Sequence, residues 1–312
     1  MLPAYITHPD CARHEMGEGH PECPERLAAI ADALLVRGLL DYMLPYDAPL
    51  ATEAQLERAH TALHVQQLRS VAPASGYAQV DPDTCMNPHT LTAALRAAGA
   101  AVLATDLVLG GEAPAAFCAV RPPGHHAERD AAMGFCFFNN VAVGIRHALD
   151  VHGLQRVALI DFDVHHGNGS EDILAGDERV LMCSIFETGL YPFNGADARS
   201  LKDAANMVNV GLAPRSGSDA FRAAVTEHWL PALERFGPEL VYISAGFDAH
   251  RDDDMANLGL LDADYAWVTR QLMDLAWRHC RGRVISCLEG GYMLNPLARS
   301  VAAHVKVLIG AD

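Results

Sequence analysis

The apolar segment VALI (157 to 160) runs into Asp161, Phe162, Asp163, Val164, His165, His166, Gly167, Asn168 and Gly169. Side chains alternate in extended backbone, so Asp161, Asp163 and His165 share one side and Phe162, Val164 and His166 the other. Two carboxylates and an imidazole on one side of a buried strand are costly unless a cation or a complete polar network accompanies them. A hydrogen-bonded cluster is the plain alternative, but three such groups followed by glycines favour a metal. Asp248, after LVYISAGF (240 to 247), joins Asp163 and His165 if the two strand ends are neighbours. One imidazole and two carboxylates leave a coordination position open, as a catalytic zinc requires. Iron(II) or cobalt(II) fits the same donors, and calcium takes imidazole poorly.

A second constellation, Arg121, Pro122, Pro123, Gly124, His125 and His126, follows AAFCAV (115 to 120). The prolines and glycine present two imidazoles rigidly, and by itself such a pair can be a packing accident. Beside a metal site, histidine can take a proton from a water and return it to a leaving amine. A third, Glu289, Gly290, Gly291 and Tyr292, follows VISCL. A phenol there can donate to a carbonyl oxygen becoming an oxyanion, although tyrosine near a strand end is more often core or rim.

Elements must bring these segments together. Strands are predicted at AAFCAV, at VALIDFDV (157 to 164), at VLMCSIF (180 to 186), at MVNVGL (207 to 212), at LVYISAGF and at VISCLEGG (284 to 291). They alternate with helical patterns at 24 to 38, 89 to 111 and 218 to 237, which implies a parallel sheet. The strands are apolar on both faces, as expected when helices cover both. Ligands in such sheets sit outside the carboxyl ends of the strands, where all three constellations fall. No linker or repeat divides residues 1 to 312, so one domain is expected. Turn-rich loops at 73 to 90 and 187 to 206 are candidate walls of the site.

Half the residues are apolar and 20% are charged, which excludes a disordered or fibrous chain. The net charge of −16 argues against binding nucleic acid or an anionic membrane and permits a cationic substrate, while serving equally for solubility. No uninterrupted apolar run approaches a membrane span and the N-terminus has no signal-peptide pattern, so a cytoplasmic location is expected. The eight cysteines contain no CxxC pair and read as reduced, buried thiols.

Together, HPECPERL (20 to 27), RPPGHHAERDAAMGFCFFNNVAVG (121 to 144), ALIDFDVHHGNGSEDI (158 to 173), SAGFDAH (244 to 250) and EGGY (289 to 292) resemble the histone deacetylase and acetylpolyamine amidohydrolase superfamily, in particular its class II-like bacterial members. The resemblance spans essentially the whole chain in order. It implies an arginase-like α/β fold: a mostly parallel central sheet of about eight strands with helices on both faces. It implies one zinc on Asp163, His165 and Asp248, with His126 as general base and acid, His125 as a second imidazole paired to Asp161, and Tyr292 polarising the carbonyl. Phe135 and Tyr191 match the aromatics of an acyl-lysine tunnel, with Gly134 beside them; Asp83 matches a rim aspartate and Arg26 an arginine at an acetate exit. A structural potassium is implied on the carbonyls of Asp161, Asp163, His165 and Ile185 and the side chains of Asp161 and Ser184, and it would lower the pKa of the histidine paired to Asp161.

Asn168 stands where class I relatives have aspartate, so a lower His126 pKa is expected, and Met293 replaces a frequent asparagine. The activity implied is zinc-dependent hydrolysis of an N-acetylated amine, either acetyl-lysine in proteins or a small acetylated amine. Met255 or Leu258 falls near a position that can be glutamate in polyamine-selective relatives, which weakens an acetylpolyamine amidohydrolase. A two-metal ureohydrolase of the same fold leaves RPPGHH and EGGY unexplained. A non-catalytic acetyl-ligand binding protein leaves the complete set of ligands, histidines and tyrosine unexplained. The oligomeric state is not legible.

Overall fold

The computed structural model describes residues 1–193 and 204–311. Ten strands occur among them: β1 (Ala4–Thr7), β2 (Leu44–Asp47), β3 (Ala78–Asp81), β4 (Thr84–Met86), β5 (Ala115–Cys118), β6 (Val157–Asp161), β7 (Val180–Glu187), β8 (Met207–Leu212), β9 (Leu240–Ala245) and β10 (Val284–Leu288). Eight form one sheet in the order β2-β1-β5-β10-β9-β6-β7-β8. Every pairing in it is parallel.

The expected apolar character on both faces has a direct counterpart. Alternate strand residues enter two separate cores. Ala116, Cys118, Leu159, Tyr242 and Ile285 pack with the helices Thr90–Gly110 and Asn140–Asp150. Their chain neighbours Ala115, Phe117, Ile160, Ile243 and Val284 pack with Glu25–Val36, Asp262–Cys280 and Leu294–Leu308. The Thr90–Gly110 helix is long and apolar enough to cross a membrane by composition, but 72% of its apolar window is buried inside the fold, which makes it a core helix.

Strands β5, β10, β9 and β6 are consecutive in the sheet. Their carboxyl ends carry the His125–His126 pair, Tyr292, Asp248 and the Asp161–His165 segment, so the topology delivers all the constellations to one edge. The alternation predicted from VALIDFDV outlasts the strand, since Phe162 and Val164 are buried in the second core while Asp161, Asp163 and His165 turn the other way.

The loop at 73 to 90 contains a small antiparallel hairpin, β3-β4. Of the loop at 187 to 206, positions 194 to 203 lie outside the described residues. All eight cysteines are free; six are buried and Cys23 and Cys85 are partly exposed.

Candidate active site

Asp163, His165 and Asp248 converge with one donor atom each within 4.8 Å of the others. His165 Nδ1 lies 3.1 Å from Asp163 Oδ1 and 3.1 Å from Asp248 Oδ2. Each carboxylate is aimed by a backbone amide: Gly290 N–H donates to Asp163 Oδ2 at 2.8 Å, and Val164 N–H donates to Asp248 Oδ1 at 3.0 Å. A side chain at Gly290 would collide with both carboxylates, so glycine is required by close approach rather than by conformation. Burial and the neighbouring Asp163 push Asp248 up to about 7, whereas Asp163, against its own burial, is held low by His125 and His165, so this buried acid pair is stabilised by positive charge. The donor set therefore fits a divalent cation.

Another carboxylate and two imidazoles, Asp106, His147 and His152, also converge among the described residues. There an Arg58 N–H lies 3.2 Å from His147 Nδ1. A guanidinium can only donate, so His147 Nε2 carries the proton and points it at Asp106 Oδ1, 2.8 Å away. That group is a satisfied hydrogen-bond network at the surface.

The two histidines after β5 are unequal. His125 Nδ1 sits 3.0 Å from Asp161 Oδ2, and its backbone N–H and that of Gly124 donate to Glu289 Oε2 at 3.1 and 2.6 Å. Burial alone would lower its pKa, but Asp163 and Asp161 outweigh burial and carry it up to about 10. That rise is the effect of the protein's own groups, and a cation bound beside Asp161 would act against it. His126 is pushed well below its ordinary value, first by burial and then by the positive His125 and His165. The Asn168 bond favours the charged ring, but as a neutral amide it does so less than burial and the two neighbouring imidazoles oppose it.

The tautomer of His126 follows from its partner. Asn168 Nδ2 donates to Glu128 Oε1 at 2.8 Å, which turns Asn168 Oδ1 toward His126 Nδ1, also at 2.8 Å. Nδ1 then carries the hydrogen, and Nε2 is left with a free lone pair. Gly134 makes room for this ring, because a Cβ there would lie 2.6 Å from His126 Cδ2.

A cavity of about 130 Å³ is lined by His126, His165, Gly134, Phe135, Tyr191, Tyr292, Asp83 and Met255. Phe135 meets the Tyr292 ring edge-to-face at 5.8 Å, and Tyr191 meets the His126 ring at 5.1 Å. Burial, reinforced by Asp248 and Asp163, raises the Tyr292 phenol well above its ordinary value and keeps it a neutral donor. Asp83, expected at the rim, lines the cavity because the β3-β4 hairpin docks through Thr84 Oγ1, which accepts the Phe135 N–H at 2.9 Å.

Leu258 is a correction. It is 4% exposed and packs in the second core; Met255 is the residue that reaches the cavity. Of the implied potassium ligands, Asp161 and Ser184 are register partners on β6 and β7, and Ile185 is buried beside them. Arg26 is fully buried, its guanidinium 5.0 Å from the Tyr292 ring centre. It shares Glu22 with a second buried cation, Arg121. Missed at the level of sequence were the orienting role of Glu289 on His125 and the contacts of Asp253 to the Tyr292 loop, both of which join segments far apart in the chain.

A parallel α/β sheet whose carboxyl edge gathers a buried Asp/His/Asp donor set, paired histidines and a phenol around a narrow cavity is able to hold a metal ion beside a proton acceptor and a hydrogen-bond donor. The chain belongs to the histone deacetylase family, whose domain matches residues 20–308. It is 39% identical to the histone deacetylase-like amidohydrolase of Pseudomonas aeruginosa over 88% of this chain and 73% of that protein. It is 37% identical to an uncharacterized Synechocystis sp. protein over 98% of this chain and 99% of that one. The type-2 histone deacetylase 2 of Dictyostelium discoideum is 34% identical over 97% of this chain, which spans only 20% of that protein. Among solved structures, the HDA15 HD domain superposes with a TM-score of 0.93 at 34% identity, covering 99% of this chain and 88% of that one.

Proposed function

We propose that this protein is a zinc-dependent deacetylase that hydrolyses the amide of an N-acetylated amine to free amine and acetate. The observation that carries this is one narrow cavity lined at once by the donor His165, a His126 with a free Nε2 lone pair, and the neutral phenol of Tyr292. Zinc held by Asp163, His165 and Asp248 would supply Lewis acidity to the carbonyl and to water.

The chain's own groups do the rest. Phe135 and Tyr191 clasp an alkyl arm and exclude bulk water. His126 Nε2 takes a proton from the attacking water, and Tyr292 donates to the carbonyl oxygen as it gains charge. The lowered basicity of His126, due first to its burial, suits both steps: neutral before attack, it gives up its proton readily once protonated. It then delivers that proton to the amine nitrogen as the C–N bond breaks. His125 stays an imidazolium paired to Asp161 and favours the neutral form of His126 by its charge. A structural potassium at Asp161 and Ser184 belongs to the same reading.

Met255 supports acetyl-lysine over an acetylated polyamine, since a thioether at this position adds no charge for a second ammonium beyond that of Asp83. Zinc-loaded protein assayed on acetyl-lysine peptides, acetylated polyamines and longer acyl-lysines tests the reading. Turnover should be abolished by a chelator, restored by zinc, and cut by about 10²- to 10³-fold in Tyr292→Phe with zinc content unchanged. Inactivity on every acylated amine would reject the proposal.

A further inference from the structure

The loop that carries Tyr292 is held from two sides. Beneath it, Arg26 donates from Nε to the Gly291 carbonyl at 2.6 Å and from a terminal nitrogen to the Glu289 carbonyl at 2.5 Å. Opposite, Asp253, only 5% exposed, accepts the amides of Tyr292 and Met293 on Oδ2 at 2.7 and 3.0 Å. Its Oδ1 accepts the amide of Met255 at 3.1 Å. The bond to Met255 is an ordinary Asx turn, two residues on. The other two reach 39 and 40 positions along the chain and have no local explanation. Tyr292 and Met255, at the two ends of this bridge, both line the cavity.

Resting on the function proposed above, we infer that Asp253 is a positioning residue that sets the Tyr292 phenol against the Asp163, His165 and Asp248 donors and fixes the Met255 rim to the same anchor. A phenol that must meet a developing oxyanion is useful only if held to within about half an ångström. Rotation about the Gly291 backbone, whose φ is 111°, is the freedom that must be removed. Arg26 restrains the carbonyls of this loop and Asp253 its amides, and charge-assisted bonds are the strong ones.

Asparagine at this position separates the two ends. Its one accepting oxygen can keep the Tyr292 and Met293 amides, but its amino group then faces the Met255 amide and releases the rim. In the zinc-loaded enzyme, Asp253→Ala should lower kcat on an acetyl-lysine peptide by about 10- to 100-fold at unchanged zinc content. Asp253→Asn should hold kcat within about threefold and raise KM several-fold. In a Tyr292→Phe background, Asp253→Ala should cost less than about twofold more, because the group it positions is gone. Biosynthetic 3-fluorotyrosine gives a readout free of turnover: the ¹⁹F resonance absent from Tyr292→Phe should shift or broaden in Asp253→Ala and hold in Asp253→Asn.

An unmoved resonance, a kcat of Asp253→Ala within twofold of the parent, or a full multiplicative loss in the Tyr292→Phe background overturns the inference. If Asp253→Ala does not fold, an Asp253→Asn enzyme that loses kcat with KM unchanged overturns it as well. Should the parent enzyme turn over no acylated amine, the proposed function falls while the fluorine measurement still decides the role of Asp253.

Discussion

Asn168→Asp tests the assignment of His126 most sharply, because it places a charge 2.8 Å from its Nδ1. With charge centres about 4 Å apart and an effective dielectric of about 20, the new pair is worth about 4 kcal/mol, or roughly three pKa units on the imidazole. Glu128 takes much of this back. Asn168 Nδ2 now donates to Glu128 Oε1 at 2.8 Å, and replacing that donor by an oxygen leaves two carboxylates face to face. Burial already raises Glu128, and two facing carboxylates each disfavour the other's charge, so less of the new charge is felt at His126. The single variant should therefore raise the His126 pKa by only about one unit, and Asn168→Asp with Glu128→Gln, which restores a donor, by about two.

The sign follows from the role. His126 acts as a base in its neutral form, and its pKa lies below the ordinary histidine value. Raising it protonates the base at higher pH, so the acid limb of kcat/KM should move upward in both variants and furthest in the double one. A profile from pH 5 to 9 on an acetyl-lysine peptide with zinc-saturated enzyme reads this directly. An acid limb that stays put, moves down, or shifts less in the double variant than in the single would refute the placement of the proton on Nδ1 and the base on Nε2.

Other outcomes follow from the same geometry. Glu22→Gln removes the carboxylate shared by the fully buried Arg26 and Arg121 and should cost about 3 to 5 kcal/mol in urea unfolding; a cost below about 1 kcal/mol would contradict it. Gly290→Ala pushes a methyl group against both metal-facing carboxylates and should weaken zinc binding about 10- to 100-fold by chelator competition, with the fold intact by circular dichroism. Met255→Glu puts a carboxylate at the cavity and should raise the ratio of kcat/KM for acetylated polyamines over acetyl-lysine peptides about tenfold, whereas an unchanged ratio would show that the rim does not select.

Much of the site is legible in the chain because its groups sit at strand ends, where a period of two and the cost of burial constrain them. Asp161, Asp163 and His165 share a side through alternation alone, and two buried carboxylates with an imidazole demand a cation or a network. The six central and late strands declare themselves as apolar runs, whereas β1 alternates buried with half-buried residues and β2, at the sheet edge, is largely exposed, so neither reads as one. Local pattern could not decide between Met255 and Leu258, because spacing after Asp248 does not reveal which way an irregular loop turns. Nor could it find Asp253 or Glu289 as anchors, since each binds amides that only the sheet order brings near. The tertiary structure also decided the unequal character of the histidine pair. A pKa depends on burial and on charges arriving from other strands, so two adjacent imidazoles with the same local sequence end with opposite shifts.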